Sequence, residues 1–166
     1  NVTSVSEQWA GVAIAGPKSR EVLNECVLDP NEITNDNLPF MGVLATKLKD
    51  GTPCRVVRIS FSGELAFEMY IESDYAHGMM DLLWEAAQKY DGCLYGLEAL
   101  GALRVEKGHV TAAELDGRVT IDDAGLGKMA STKKSYIGSA MRKRGALSED
   151  DREILVGFFP ANQSDT

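Results

Sequence analysis

An alternation of apolar and polar side chains is the clearest pattern in this chain, and it runs from residue 66 to residue 72. The residues on one side are Phe67, Met69 and Ile71, and those on the other are Ala66, Glu68, Tyr70 and Glu72. A period of two predicts a β-strand whose apolar side lies in a core. The strand then carries Glu68 and Tyr70 on the face opposite that core.

Shorter apolar runs before this segment predict three more strands. Residues 12–15 form the first run, and residues 43–49 and 55–61 form two runs on either side of Asp50 and Gly51. An Asp-Gly pair between two strands favours a tight hairpin. We therefore expect the second and third runs to pair with each other, and residues 93–95 predict a later, returning strand.

Apolar positions spaced three to four residues apart predict two helices between these strands. Gly16 and Pro17 open the first helix, which runs to about Cys26. Ser73 and Asp74 are suited to cap the second helix. The apolar stripe of the second helix consists of Tyr75, Met79, Leu82, Leu83, Ala86 and Tyr90. Both helices would bury one face against the sheet.

A third helical pattern begins near residue 96 and carries an arginine on its apolar side. Its apolar positions are Leu97, Leu100, Ala102 and Leu103. Arg104 follows Leu100 by four residues and shares its face, where a charged head group needs a partner or water. Two interpretations stay open for Arg104 and for Glu68, because each could contact a ligand or could be solvated or paired structurally.

This order of elements predicts an α+β fold, with a ferredoxin-like split β-α-β sheet and helices on one face. A helical segment and a strand-like run at residues 153–159 follow the sheet. Little sequence follows that run to pair with it. We therefore expect a piece of a longer polypeptide, cut at the start of a C-terminal strand region.

Composition narrows the class of protein. Of 166 residues, 44% are hydrophobic and 25% are charged, as in an ordinary globular unit, and the net charge of −8 argues against a nucleic-acid surface. No apolar run approaches the length of about 18 residues that reads as a membrane span. The three cysteines lack C-x-x-C spacing, which favours reduced thiols in a cytoplasmic setting. The histidines have no ligand-like spacing to cysteines or carboxylates, so we predict no metal site.

Four segments resemble the folate-binding aminomethyltransferases, the T-protein family of glycine cleavage. They are residues 9–18, which end in G-P-K, residues 61–68 (F-S-G-E-L-A-F-E), residues 103–108 (L-R-V-E-K-G) and residues 133–138 (K-K-S-Y-I-G). They occur in the order that the family has. Within the family, the sequences of these segments are most similar to the branch formed by the α subunits of heterotetrameric sarcosine oxidases.

The resemblance implies tetrahydrofolate binding and gives roles to four residues. Glu68 corresponds to the glutamate that hydrogen-bonds the pterin, and Arg104 corresponds to an arginine close to the folate site. Phe61 lines the pocket where many relatives have tyrosine, so a stacking face is kept and a hydroxyl is lost. Lys128 stands where many relatives have tryptophan, and it either removes an aromatic wall or adds a cation for the glutamate tail. The family's catalytic aspartate lies upstream of this piece, so no catalytic residue is assigned.

For the whole enzyme, the resemblance implies oxidative demethylation of sarcosine to glycine, with the one-carbon unit passed to tetrahydrofolate as 5,10-methylenetetrahydrofolate. NAD and FMN belong to the full enzyme and would not bind to this piece, whose partners would be folate and the other sarcosine oxidase subunits. Residues 1–150 would be the second part of the folate-binding domain, and residues 151–166 the start of a C-terminal barrel. We expect the piece alone to be folded and inactive, to bind folate weakly or not at all, and to self-associate through apolar surface near Trp9, Phe158 and Phe159.

Two alternatives stay open for the function. The chain could belong to an aminomethyltransferase of glycine cleavage, or it could be a non-catalytic, acidic module that binds a protein partner. The module predicts that Glu68 and Arg104 are exposed and apart, whereas a folate site predicts that they share a cleft with Phe61 nearby.

Overall fold

The alternating segment forms strand β4 (Ala66–Glu72), an inner strand of a four-stranded sheet in the computed structural model, which describes residues 1–162. The other strands are β1 (Trp9–Ala15), β2 (Val43–Lys47) and β3 (Pro53–Val57). Their order in the sheet is β1-β4-β3-β2, and all neighbours are antiparallel. The predicted α+β class and the predicted hairpin of β2 and β3 are confirmed.

Two helices, α1 (Ser19–Cys26) and α2 (Ala76–Gln88), pack against each other and against β4. The core between the helices and the sheet includes the fully buried side chains of Leu23, Val27, Val56, Phe67, Met69, Ile71 and Met79. Burying one large apolar side chain contributes about 1.5–3 kcal/mol. This contribution fixes the apolar side of β4 toward the helices, as the alternation predicts.

The strand connections differ in detail from a split β-α-β unit. β1 and β2 have two strands between them and run antiparallel to each other, whereas a split unit has this pair parallel. The returning strand predicted at residues 93–95 is wrong, because these residues are exposed and belong to no strand of the described chain. Residues 93–95 instead line a cavity of about 340 Å³, together with residues of β1 and α2.

Both strands of the hairpin end earlier than predicted. β2 ends at Lys47, and β3 ends at Val57 rather than at residue 61. Beyond Val57, the backbone bonds to the preceding loop: the Met41 N–H donates to the Arg58 carbonyl at 2.8 Å, and the Arg58 N–H donates to the Gly42 carbonyl at 3.0 Å. These bonds join Arg58 to the residues before β2, and residues 58–61 lie in a loop in place of a longer strand.

Ser73 does not cap α2 as predicted. A 3-10 turn (Ser73–Tyr75) precedes the helix, and neither Ser73 nor Asp74 makes a capping hydrogen bond to it. The Ser73 hydroxyl instead donates to the carbonyl of Glu7 at 2.6 Å. Ser73 therefore ties the segment before β1 to the start of α2.

Helix α3 (Leu97–Lys107) ends the first of two compact units, which are residues 1–107 and the residues from 108 onward. No residue of α3 is buried, and Leu97 is 86% exposed. The apolar stripe predicted for this helix is therefore not part of the core that α1 and α2 form with the sheet.

The second unit consists of turns that two acid–arginine pairs hold together. Both oxygens of Asp122 accept hydrogen bonds from Arg142 at 2.6 Å. The buried Asp123 accepts a bond from Arg152 at 2.9 Å, and this guanidinium holds the pKa of the Asp123 carboxyl well below its usual range. Asp122 and Asp123 both lie in a turn.

The strand predicted at residues 153–159 is wrong for the described chain. Residues of this run pair with no strand, and the backbone bond that holds it is from the Leu155 N–H to the Asp123 carbonyl. Phe158 and Phe159 are more than 90% exposed. The division into a folate-binding part and a barrel at residue 150 stays a prediction. Within residues 1–162, no helix is long and apolar enough to cross a membrane.

Candidate functional site

Glu68 lies in the middle of β4 on the face of the sheet opposite the helices. Its neighbours across the ladder are Ala13 on β1 and Val57 on β3. Directly paired residues of antiparallel strands point to the same face. The residues that share this surface, which we call the Glu68 face, are Trp9, Gly11, Ala13, Arg55, Val57, Glu68, Tyr70 and Glu72. The Glu68 side chain is half-buried there.

Tyr70 binds the Glu68 carboxylate directly. Its hydroxyl donates a hydrogen bond to Oε2 of Glu68, two residues earlier on the same strand and face. This bond is the main reason that the pKa of the Tyr70 hydroxyl is raised above its usual value. Tyr70 therefore keeps its proton at neutral pH and acts as a donor to the carboxylate.

Gly11 provides the space for the Tyr70 ring. Gly11 pairs with Tyr70 across the ladder, and a Cβ atom at Gly11 would lie 2.7 Å and 2.9 Å from two carbons of that ring. Contacts under 3.0 Å essentially do not occur for real Cβ atoms. Only glycine leaves the ring in place against β1.

Arg55 and Trp9 form a second contact on the Glu68 face. Arg55 is the partner of Tyr70 on β3, and its guanidinium carbon lies 4.3 Å from the centroid of the Trp9 ring. This distance is within the range of a cation–π interaction. The contact spans β4, since Trp9 belongs to β1.

The loop before β4 is anchored to the turn after β1. The Leu65 carbonyl accepts two hydrogen bonds at 2.9 Å, one from the Gly16 N–H and one from the Ser19 hydroxyl. Residues 16–18 are the G-P-K end of one family-like segment, and Leu65 belongs to another. The two segments are therefore in contact. Phe61 lies in this loop and is 42% exposed.

The same loop contacts the end of α3. A Cβ atom at Gly63 would lie 3.1 Å from Cδ and 3.2 Å from Cβ of Lys107. Gly63 also has a φ of +92°, a conformation that favours glycine. Arg104 precedes Lys107 by three residues, about one turn, and is half-buried. The structure thus brings the loop of Phe61 to the helix of Arg104.

Lys128 lies in the second unit, where it is exposed in a 3-10 turn (Gly127–Met129). The cleft shared by Glu68, Arg104 and Phe61 stays a prediction. The 340 Å³ cavity is a separate feature of the first unit, lined by apolar side chains such as Val12, Ile14 and Trp84 and not by Glu68. Within residues 1–162, no group of three or more histidine, cysteine, aspartate and glutamate side chains is arranged to hold a metal ion.

Sequence reasoning assigned Glu68 and missed the residues that surround it. Tyr70 was placed on the same side of the strand by the alternation, which was the available signal for its contact with Glu68. Gly11 and Arg55 gave no such signal, because their proximity depends on the register of strands that are distant in the sequence.

Comparison with known proteins identifies a family and several relatives that are similar to this chain. The family described as the GCVT N-terminal domain matches residues 1–134. A sarcosine oxidase subunit alpha of Rhizobium meliloti (strain 1021) is 41% identical over 162 residues, which are 96% of this chain and 16% of that protein. A formaldehyde-forming 4-methylaminobutanoate oxidase of Paenarthrobacter nicotinovorans is 36% identical over 155 residues, 90% of this chain and 18% of that protein.

An aminomethyltransferase of Halothermothrix orenii (strain H 168 / OCM 544 / DSM 9562) is 30% identical over 162 residues, 95% of this chain and 43% of that protein. The chain spans 16–17% of the length of the sarcosine oxidase α subunits that it matches. The matches therefore cover nearly all of this chain and a small part of those relatives.

Proposed function

The chain belongs to the family of the GCVT N-terminal domain, and from this premise we propose that it forms one wall of a tetrahydrofolate site in an enzyme that removes N-methyl groups. Its sarcosine oxidase and aminomethyltransferase relatives support this context. The proposed reaction is oxidative demethylation of sarcosine to glycine in the complete enzyme. Tetrahydrofolate would accept the one-carbon unit, giving 5,10-methylenetetrahydrofolate.

The observation that carries this proposal is the half-buried carboxylate of Glu68, held by Tyr70 on the face away from the helices. A pterin ring presents an amino group and ring N–H groups, all of them donors. An ionised carboxylate only accepts hydrogen bonds, so its chemistry fits those donors. Glu68 would fix the orientation of the ring and bring its nitrogens to the one-carbon unit, a contribution of proximity and orientation.

Phe61 and Arg104 would complete this wall. The exposed ring of Phe61 offers a stacking face, and its loop contacts α3 through Gly63 and Lys107. Arg104, on α3, would meet a polar edge of the folate. Lys128 belongs to the second unit, and both roles considered for it stay predictions. Flavin would supply the oxidation of the amine, and no residue of this chain is assigned to flavin or NAD.

Removal of the Glu68 carboxylate tests the proposal. In the complete enzyme, we expect Glu68→Ala to weaken tetrahydrofolate binding by about 1.5–3 kcal/mol, the range for a lost hydrogen bond to a charged group. Calorimetric titration measures this change. Glu72→Ala is the matched control, since Glu72 is exposed on the same strand. Unchanged affinity in the Glu68 variant would remove this residue from the site and leave the proposal without its main support.

A second candidate is an aminomethyltransferase, favoured by the 30% identity to the Halothermothrix orenii protein. Both candidates use tetrahydrofolate, so the Glu68 variant does not separate them. Oxygen consumption with sarcosine or 4-methylaminobutanoate would indicate an oxidase, and its absence would favour a transferase. The non-catalytic module is less well supported, because Glu68 and Arg104 are both half-buried.

A further inference from the structure

We propose that Tyr70 is a positioning residue, which holds the Glu68 carboxylate in one orientation and presents its second oxygen to the bound pterin. The inference rests on the role proposed above for Glu68 and adds the residue that orients it. It assigns to Gly11 the role of leaving space for the Tyr70 ring.

The first supporting observation is that the two oxygens of the Glu68 carboxylate differ in their hydrogen bonds. Tyr70 Oη donates to Oε2 of Glu68. Within residues 1–162, no other side chain hydrogen-bonds this carboxylate. Each carboxylate oxygen can accept about two hydrogen bonds. Oε1 therefore stays available to a donor from a ligand.

The second observation concerns the freedom of the Glu68 side chain. A glutamate has three rotatable torsions, and a ligand that binds a mobile carboxylate must first lose that freedom. A tyrosine on the same strand has two torsions and a rigid ring, so one hydrogen bond from it restricts the glutamate before the ligand arrives. Such preorganisation increases affinity without a new contact to the ligand.

The third observation is the close packing of the Tyr70 ring against Gly11. A Cβ atom at Gly11 would lie 2.7 Å from one carbon of this ring, closer than a Cβ atom can approach. A side chain at this position of β1 would push the ring away and break its alignment with Glu68. The absence of a side chain at Gly11 and the bond to Glu68 are therefore parts of one arrangement across β1 and β4.

A purely structural role for Tyr70 is the alternative, and a double-mutant cycle separates the two. The complete polypeptide is titrated calorimetrically with tetrahydrofolate in four forms: unsubstituted, Tyr70→Phe, Glu68→Ala and the double variant. We expect Tyr70→Phe to weaken binding about three- to tenfold, as for a lost hydrogen bond. In the Glu68→Ala background, the same change should have no further effect, because Tyr70 acts through Glu68.

Two results would overturn the inference while leaving the proposed function intact. One is unchanged affinity for tetrahydrofolate in Tyr70→Phe, and the other is an equal additional loss when Glu68 is already absent. Unchanged affinity in Glu68→Ala would instead refute the proposed function, and the inference with it. Thermal unfolding of each variant verifies that the protein is folded.

Gly11→Ala provides an independent test of the ring's seat. We expect a loss of affinity similar to that of Tyr70→Phe when Glu68 is present, and none in the Glu68→Ala background. Gly78→Ala is the control, since a Cβ atom at this α2 position meets no atom within 4 Å. Full affinity in a folded Gly11→Ala protein would contradict the proposed seat. If that variant does not fold, the Tyr70→Phe cycle decides.

Discussion

The sheet face that carries Phe67 is closed by α1 and α2, whereas the Glu68 face holds polar and aromatic side chains that bind one another. Both faces belong to the same strand, β4, whose side chains alternate between them. The first face depends on apolar burial, which is insensitive to orientation. The second depends on a hydrogen bond and a cation–π contact, which require specific geometry. The comparison suggests that the two faces can be altered separately.

Truncation of the closed face should have the largest effect. Phe67 is fully buried, and Phe67→Ala should lower the free energy of unfolding by about 3–5 kcal/mol, because it removes apolar contacts and leaves a cavity. Urea denaturation measures the change. Glu72→Ala, an exposed change on the same strand, should alter the stability by less than about 0.5 kcal/mol. Similar losses in the two variants would mean that the faces do not differ as described.

The second-largest effect is expected at alkaline pH, which should lower the free energy of unfolding through two thiols of the closed face. Burial raises the pKa of the Cys26 and Cys54 thiols from an ordinary value of 9.0 to about 11. Because the unfolded chain loses these protons first, their contribution to stability is complete below pH 9 and is lost as the pH rises to about 11. Two pKa units correspond to on the order of 2–3 kcal/mol per thiol.

The measurement is the urea midpoint between pH 8 and pH 11. Cys54→Ala should show a shallower decline with pH than the unsubstituted chain. Cys93 is the matched control, since it is exposed and Cys93→Ala should leave the decline unchanged. A decline of the same slope in all three proteins would assign the alkaline effect to other groups.

The sequence predicted much of the closed face and little of the arrangement on the other. Alternation at Phe67, Met69 and Ile71 was sufficient for β4, because burial acts on each position independently. The contact of Gly11 with Tyr70 depends on pairing between residues that are far apart in the chain, which periodicity does not encode. A short apolar run such as residues 93–95 reads as a strand, although here it lines a cavity.

The smallest effect is expected from the contact between Arg55 and Trp9 on the Glu68 face. The Arg55 side chain is exposed, and a cation–π interaction at an exposed site contributes about 0.5–1 kcal/mol. Arg55→Ala should therefore lower the free energy of unfolding by about that amount, measured by urea denaturation. Arg55→Lys keeps the charge and loses the flat stacking surface, so its free energy of unfolding should lie between those of the unsubstituted chain and Arg55→Ala.

A double-mutant cycle with Trp9→Ala isolates the interaction, since each change removes the same contact. A coupling energy near zero would mean that the two side chains meet without stabilising the sheet, and that the hydrogen bond between Tyr70 and Glu68 is the interaction on this face that determines its geometry.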